Sequence, residues 1–226
     1  MPLPLIALGA GVVALVSVVS AAVTLRQLRQ PLDVMVIGQS RTGKTTLLNS
    51  WRGEWEDDPL RTARPVKIGT FEVPTKDKVL SFEKKFVFHK VKDISGLDES
   101  MRGFLDDVKA ATVVVYLVNA VHLHEEATRK AERPHAAEWV RVVDDAGRIR
   151  RHCEKAERVV VGVTHTDLDP RWAALGPAAY LAEVTEQLAA VLAKIGEAGR
   201  TSVVAGSMLT EAGAAEFAEG IVENLL

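Results

Sequence analysis

At 226 residues, 47% hydrophobic and 26% charged, the chain carries enough apolar side chains for a full core in one domain of ordinary size, which excludes a disordered protein. A formal net charge of −2 excludes the basic excess that gripping a phosphate backbone requires, so no nucleic-acid partner is expected. The single cysteine, Cys153, rules out an intrachain disulfide and fits a reducing compartment.

The chain opens with LPLIALGAGVVALVSVVSAAVTL, Leu3 to Leu25, without one charged residue. At about 1.5 Å per helical residue this stretch crosses a hydrocarbon core of about 30 Å, so residues 1–30 read as a transmembrane anchor with a short basic tether. A cleaved signal peptide would want a basic start and a shorter apolar core, and MPLPL has no basic side chain. Arg26 and Arg29 directly follow the span, and the positive-inside bias then makes this a single-pass membrane protein with residues 31–226 in the cytoplasm. Ala10 and Ala14, with Ser17 and Ala21, are small enough for two such helices to approach, the sequence basis for a homodimer.

Next comes a buried-strand pattern over 33–38, the loop GQSRTGKT, and a helix near 44–51. Gly38, four residues, Gly43, Lys44 and Thr45 have the spacing of a phosphate-binding loop. Gly38, Gln39, Ser40, Arg41, Thr42 and Gly43 would turn backbone N–H groups toward phosphates, continued by Lys44, Thr45 and Thr46 at the helix start. Lys44 would reach the β- and γ-phosphates, and the Thr45 hydroxyl would take a position on Mg²⁺. Trp51 and Trp55 would pack on the sheet or face a partner, with Gly53 stopping the helix.

The charged, turn-rich stretch RGEWEDDPLRTARPVKIG precedes strands expected near 68–73 and 84–92, with Pro74 and TKDK as the hairpin turn between them. VKDISG follows: Asp93 at the carboxyl end of a strand would hold Mg²⁺, usually through a water, and the Gly96 N–H would bond the γ-phosphate and sense its loss. A threonine hydroxyl should reach Mg²⁺ from the loop upstream. Thr70 lies about two strands and a turn before Asp93 and is chosen over Thr62 and Thr75. Lys44 and Thr70 are thus the residues expected to act on the reacting phosphate.

A helix near 99–109 and a strand at 112–119 come next. His122 and His124, followed by Glu125 and Glu126, have ligand-like chemistry, but His135 lies beyond a charged segment and structural zinc is not expected. An amphipathic helix over 134–155 leads to a strand at 158–164. Thr164-His165-Thr166-Asp167 follows it. A carboxylate at Asp167 can accept N1–H and the exocyclic amine of guanine, a pair that adenine does not offer. Turn or capping chemistry is the competing role, for which Asp169 before Pro170 is an equally good candidate. A helix at 177–197, a strand at 201–206 and a helix at 210–225 complete an α/β pattern: a mainly parallel six-stranded sheet with one antiparallel edge and helices on both faces.

Taken in order, GQSRTGKT, Thr70, DISG, THTD and AGS over residues 33–226 resemble the Ras-like small GTPases of the translation-factor-related class. The resemblance implies a P-loop GTPase fold, GTP and GDP with Mg²⁺ as ligands, a cytoplasmic effector and a regulator. Where that class has a lysine whose stem lies along the base, this chain has His165; Roc domains of Roco proteins show a similar T-H-x-D, implying that His165 stacks on the ring. The S-A-K motif is matched by Ala205-Gly206-Ser207, whose N–H groups would reach the guanine carbonyl. Leu97 stands where Ras-like enzymes have the water-orienting glutamine, which implies slow turnover completed by a partner or a second protomer. The anchor placed before a GTPase resembles the signal-recognition-particle receptor beta subunit in architecture. Two rival readings remain open at this point: an adaptor that holds nucleotide without hydrolysing it, and an ATP-using P-loop enzyme for which Asp167 is incidental.

Overall fold

The computed structural model describes residues 32–55, 66–68, 71–76, 83–88, 91–95, 109–123, 136–196 and 199–225. Strands β1 (Val34–Gly38), β2 (Val66–Ile68), β5 (Val91–Ser95), β6 (Val113–Asn119), β7 (Arg158–Thr164) and β8 (Thr201–Ala205) form one sheet in the order β2-β5-β1-β6-β7-β8. All neighbours are parallel except β2, which runs antiparallel to β5 at the edge. β1, β6 and β7 read VMVIG, VVVYLVN and RVVVGVT and are almost wholly buried. Runs of β-branched residues with no polar alternation are what strands covered on both faces require.

Alternate residues separate two cores. On one face Met35, Ile37, Val114, Tyr116, Val118, Val161 and Val163 meet α2 (Ala136–His152), α4 (Pro177–Gln187) and α5 (Ala189–Ile195) through Val142, Ile149, Tyr180, Val184 and Val191. On the other, Val34, Val36, Val115, Leu117 and Val160 meet α1 (Lys44–Arg52) and α6 (Glu211–Glu223) through Leu47, Leu48, Trp51, Phe217 and Ile221. Trp51 is buried there and its indole N–H donates to Ala218 O at 3.3 Å, so it is a packing residue that ties α1 to α6. Gly53, at φ 71°, ends α1.

The chain is thus α/β with a mainly parallel sheet, but several expected elements fall differently. The antiparallel edge is the short β2; the hairpin of β3 (Phe71–Lys76) and β4 (Glu83–Phe88) forms a separate two-stranded sheet. Pro74 lies inside β3 opposite Lys85 rather than in a turn, which a strand with one open edge tolerates. The single strand expected at 84–92 is two, β4 and β5. The helix expected at 177–197 is divided at Leu188, where the Leu188 N–H to Val184 O and Leu192 N–H to Leu188 O bonds still link α4 to α5, and a further helix, α3 (Pro170–Leu175), precedes it, with Gly176 between. Most of the helix expected at 99–109 lies outside the described residues. Among the described residues no helix is long and apolar enough to cross a membrane. The apolar stretch 3–25 lies outside them.

Candidate nucleotide-binding site

β1 delivers the loop 38–43 at the carboxyl edge of the sheet, where open α/β folds form their ligand crevice. Arg41 at φ 65° and Gly43 at φ 79° adopt left-handed conformations with Thr42 between them. Such alternation of hand gathers successive N–H groups into an anion-binding concavity. A Cβ on Gly38 would stand 2.7 Å from both Leu117 O and Thr42 Oγ1, so only glycine lets the loop leave the strand this tightly. The Gln39 carbonyl accepts from Thr42 Oγ1 at 2.9 Å and from Lys44 Nζ at 2.7 Å. Lys44 is only 6% exposed, so its ammonium is folded into the loop instead of reaching solvent. α1 begins with no side-chain cap and no acidic residue in its first turn, leaving the positive end of the helix for an anion. Thr45 and Thr46, both half-buried, occupy that first turn beside Lys44, and Ser40 and Arg41 are exposed in the loop.

Two strands away, β7 ends at Thr164. Its separation from β1 by β6 alone sets the two strand ends roughly 10 Å apart. Thr164 is fully buried, donating from Oγ1 to Val118 O at 3.3 Å and lying 2.9 Å from His165 Nδ1. His165 is half-buried with φ 57°, and burial lowers its pKa, opposed by Asp167 and reinforced by His122. Asp167 is exposed in a single 3₁₀ turn, Thr166–Leu168, and accepts a hydrogen bond from the Ser207 hydroxyl.

The neighbouring Asp169 has a wholly different environment. It is 2% exposed, caps α3 by accepting from Arg171 N, accepts from Tyr180 OH at 2.9 Å and pairs with the Arg171 guanidinium at 2.7 Å. Arg171 continues to Glu183 at 2.8 Å. Burial pushes the Asp169 carboxyl up, but the bonds from Arg171 and Tyr180 outweigh it and hold the pKa low. The structural role therefore falls to Asp169, and Asp167 is left at the edge beside the loop after β8.

That loop is set one step further along than its sequence pattern suggested. Ala205 is the last residue of β8, and Gly206 N–H donates to Val163 O at 3.0 Å, continuing the ladder with β7. Gly206 thus does not turn its N–H toward the crevice. Ser207 and Met208 reach it instead: Ser207 bonds Asp167, and the Met208 methyl lies against Gly43. Ala-Gly-Ser fits the S-A-K spacing by composition; the signal passed over was Ser207-Met208-Leu209 immediately after the strand.

Asp93 lies in the middle of β5 instead of at its end, its backbone in register with Val36 of β1 and Val66 of β2. Two more residues carry β5 to Ser95, opposite Gly38. Thr70, Gly96 and Leu97 lie outside the described residues, as does Thr62, while Thr75 is in the hairpin opposite Lys84. His122 belongs to a helical turn at 120–123; His124 and His135 are outside the described residues. Among the described residues no group of three or more His, Cys, Asp or Glu could hold a metal ion. No protein-family model matches the chain, and no curated protein matches it.

Proposed function

We propose that residues 31–226 are a GTP-binding domain of the P-loop GTPase kind, held at a membrane by residues 1–30, which hydrolyses GTP slowly to GDP and phosphate and presents its nucleotide state to a cytoplasmic partner. One observation carries the choice of purine: Asp167 is drawn to Ser207 at the same sheet edge as the phosphate loop, while Asp169 is consumed by α3 and Tyr180. The Ser207 hydroxyl holds the carboxylate in place, and its remaining acceptor positions suit the N1–H and amine of guanine. Adenine presents an acceptor where guanine presents N1–H, so an adenine nucleotide would leave Asp167 facing a lone pair.

At the other end, Lys44 exchanges the Gln39 carbonyl for phosphate oxygens, and the N–H groups of the loop and the first turn of α1 receive the rest of the charge. The Thr45 hydroxyl, and by resemblance Asp93 and Thr70, are hard oxygen donors of the kind Mg²⁺ takes, and Thr45 is adjacent to Lys44 in the first turn of α1. When bound, Mg²⁺ neutralises charge on the β- and γ-oxygens. Leu97 offers no polar group to orient water, so useful turnover would draw on a partner or a second protomer.

Leu97 also favours a second reading, a GTP-holding adaptor without useful hydrolysis. Single-turnover phosphate release separates the two: a slow release accelerated by cytoplasmic extract supports the switch, and GTP retained unchanged under both conditions supports the adaptor. Chromatography of nucleotide released from gently purified full-length protein tests the common premise, with GDP or GTP expected.

A further inference from the structure

Met208 belongs to no motif read from the sequence, yet it joins the two halves of the site. It follows Ser207, whose hydroxyl holds Asp167, and its side chain packs with the α1–α6 core. From there it crosses to the phosphate loop: a Cβ on Gly43 would stand 2.3 Å from Met208 Cε and 3.8 Å from Sδ. The thioether is therefore in van der Waals contact with the glycine that caps α1. Ser207 at Asp167 and Met208 at Gly43 thus connect, through two consecutive residues, the proposed base-reading and phosphate-holding ends of the site.

His165 is poorly placed to supply the apolar wall there. Its backbone is left-handed, Nδ1 lies 2.9 Å from Thr164 Oγ1, and the ring is drawn toward the end of β7. An unbranched, polarisable thioether is suited to the task, since sulfur makes favourable contacts with aromatic rings and adapts to their edge.

Resting on the guanine-nucleotide reading above, we infer that Met208 is a positioning residue for the bound nucleotide: its thioether forms the apolar wall beside the purine and ribose and keeps Gly43 at a fixed distance from Asp167. It touches no reacting atom, so its effect falls on residence time and not on chemistry.

The test uses the full-length protein in detergent, with GDP dissociation and equilibrium GDP affinity measured for wild type, Met208→Ala and Met208→Leu, alongside thermal unfolding without nucleotide. Loss of the apolar side chain should weaken GDP by about twofold to tenfold, with faster dissociation. Leucine, close in volume, should restore most of it. Unchanged or tighter GDP binding in Met208→Ala overturns the inference, as does failure of leucine to rescue, which would make the residue merely structural. If wild type binds no guanine nucleotide, the guanine reading itself fails and this inference falls with it; GDP binding that is normal in both wild type and Met208→Ala sinks the inference alone.

Discussion

Replacing Asp167 with asparagine changes one oxygen to an amide nitrogen at an exposed position whose neighbours are known. The Ser207 hydroxyl can still donate to the remaining oxygen, so folding should change by less than about 0.5 kcal/mol. Binding is another matter. A hydrogen bond to a charged group contributes about 1.5–3 kcal/mol, and the variant keeps an acceptor for N1–H while turning an NH₂ toward the guanine amine. GDP affinity should fall by about tenfold to a hundredfold, with loss of the charged bond and two donors opposed. Xanthosine diphosphate carries a carbonyl in place of that amine and should bind the variant better than wild type. Titration calorimetry of both proteins with both nucleotides, at one salt concentration, reads the exchange of preference directly. Equal GDP affinity in wild type and Asp167→Asn would refute the reasoning, because the carboxylate would then not be touching the base.

The other predictions concern the remaining parts of the site and its support. Lys44→Ala should remove measurable GDP binding; calorimetry measures it, and thermal unfolding checks that the variant is folded. Asp169→Ala should destabilise the fold by about 2–4 kcal/mol, because it removes the α3 cap, leaves the buried Tyr180 hydroxyl without its acceptor and leaves Arg171 with Glu183 alone; urea unfolding measures it. His165 has a pKa lowered by burial, so the unfolded chain binds its proton more readily. Its contribution to stability is present above the ordinary histidine value of about 6.5 and is lost as pH falls through the lower folded value. Urea unfolding should therefore show greater stability at pH 7.5 than at pH 5.5, and His165→Gln should flatten that difference; an unaltered slope in the variant would place the dependence on another group.

The strongly patterned parts of this chain were legible before the fold was known. VVVYLVN and RVVVGVT announce strands buried on both faces because nothing else tolerates so many β-branched residues in succession. The tight turn after β1 was legible because Gly38 and Gly43 each meet a steric or conformational need fixed by local geometry. Elements with weaker local signals were misjudged. Nothing in EKKFVFHKVKDIS marks the change from the hairpin to the central sheet, since both strands mix apolar and charged residues and no glycine or proline separates them. The hydrophobic spacing of the stretch from Pro177 to Ile195 continues through Leu188, so the division there was invisible, whereas Asp169-Pro170 carried a capping signal that α3 bears out, although the helix itself was not expected. The different surroundings of Asp167 and Asp169 depend on Ser207 and Tyr180, distant in sequence, and the contact of Met208 with Gly43 joins positions 165 residues apart.

The central claim is that one sheet edge selects guanine over adenine while a lysine-bearing loop holds the phosphates. Competition for labelled GTP on the full-length protein in Mg²⁺ addresses it most directly, with unlabelled GDP, ATP and ADP as competitors. GDP should displace the label at concentrations at least about a hundredfold below those needed for ATP or ADP, the margin expected when a polar edge is matched by one base and opposed by the other. Displacement by ATP at the same concentration as GDP would contradict the account.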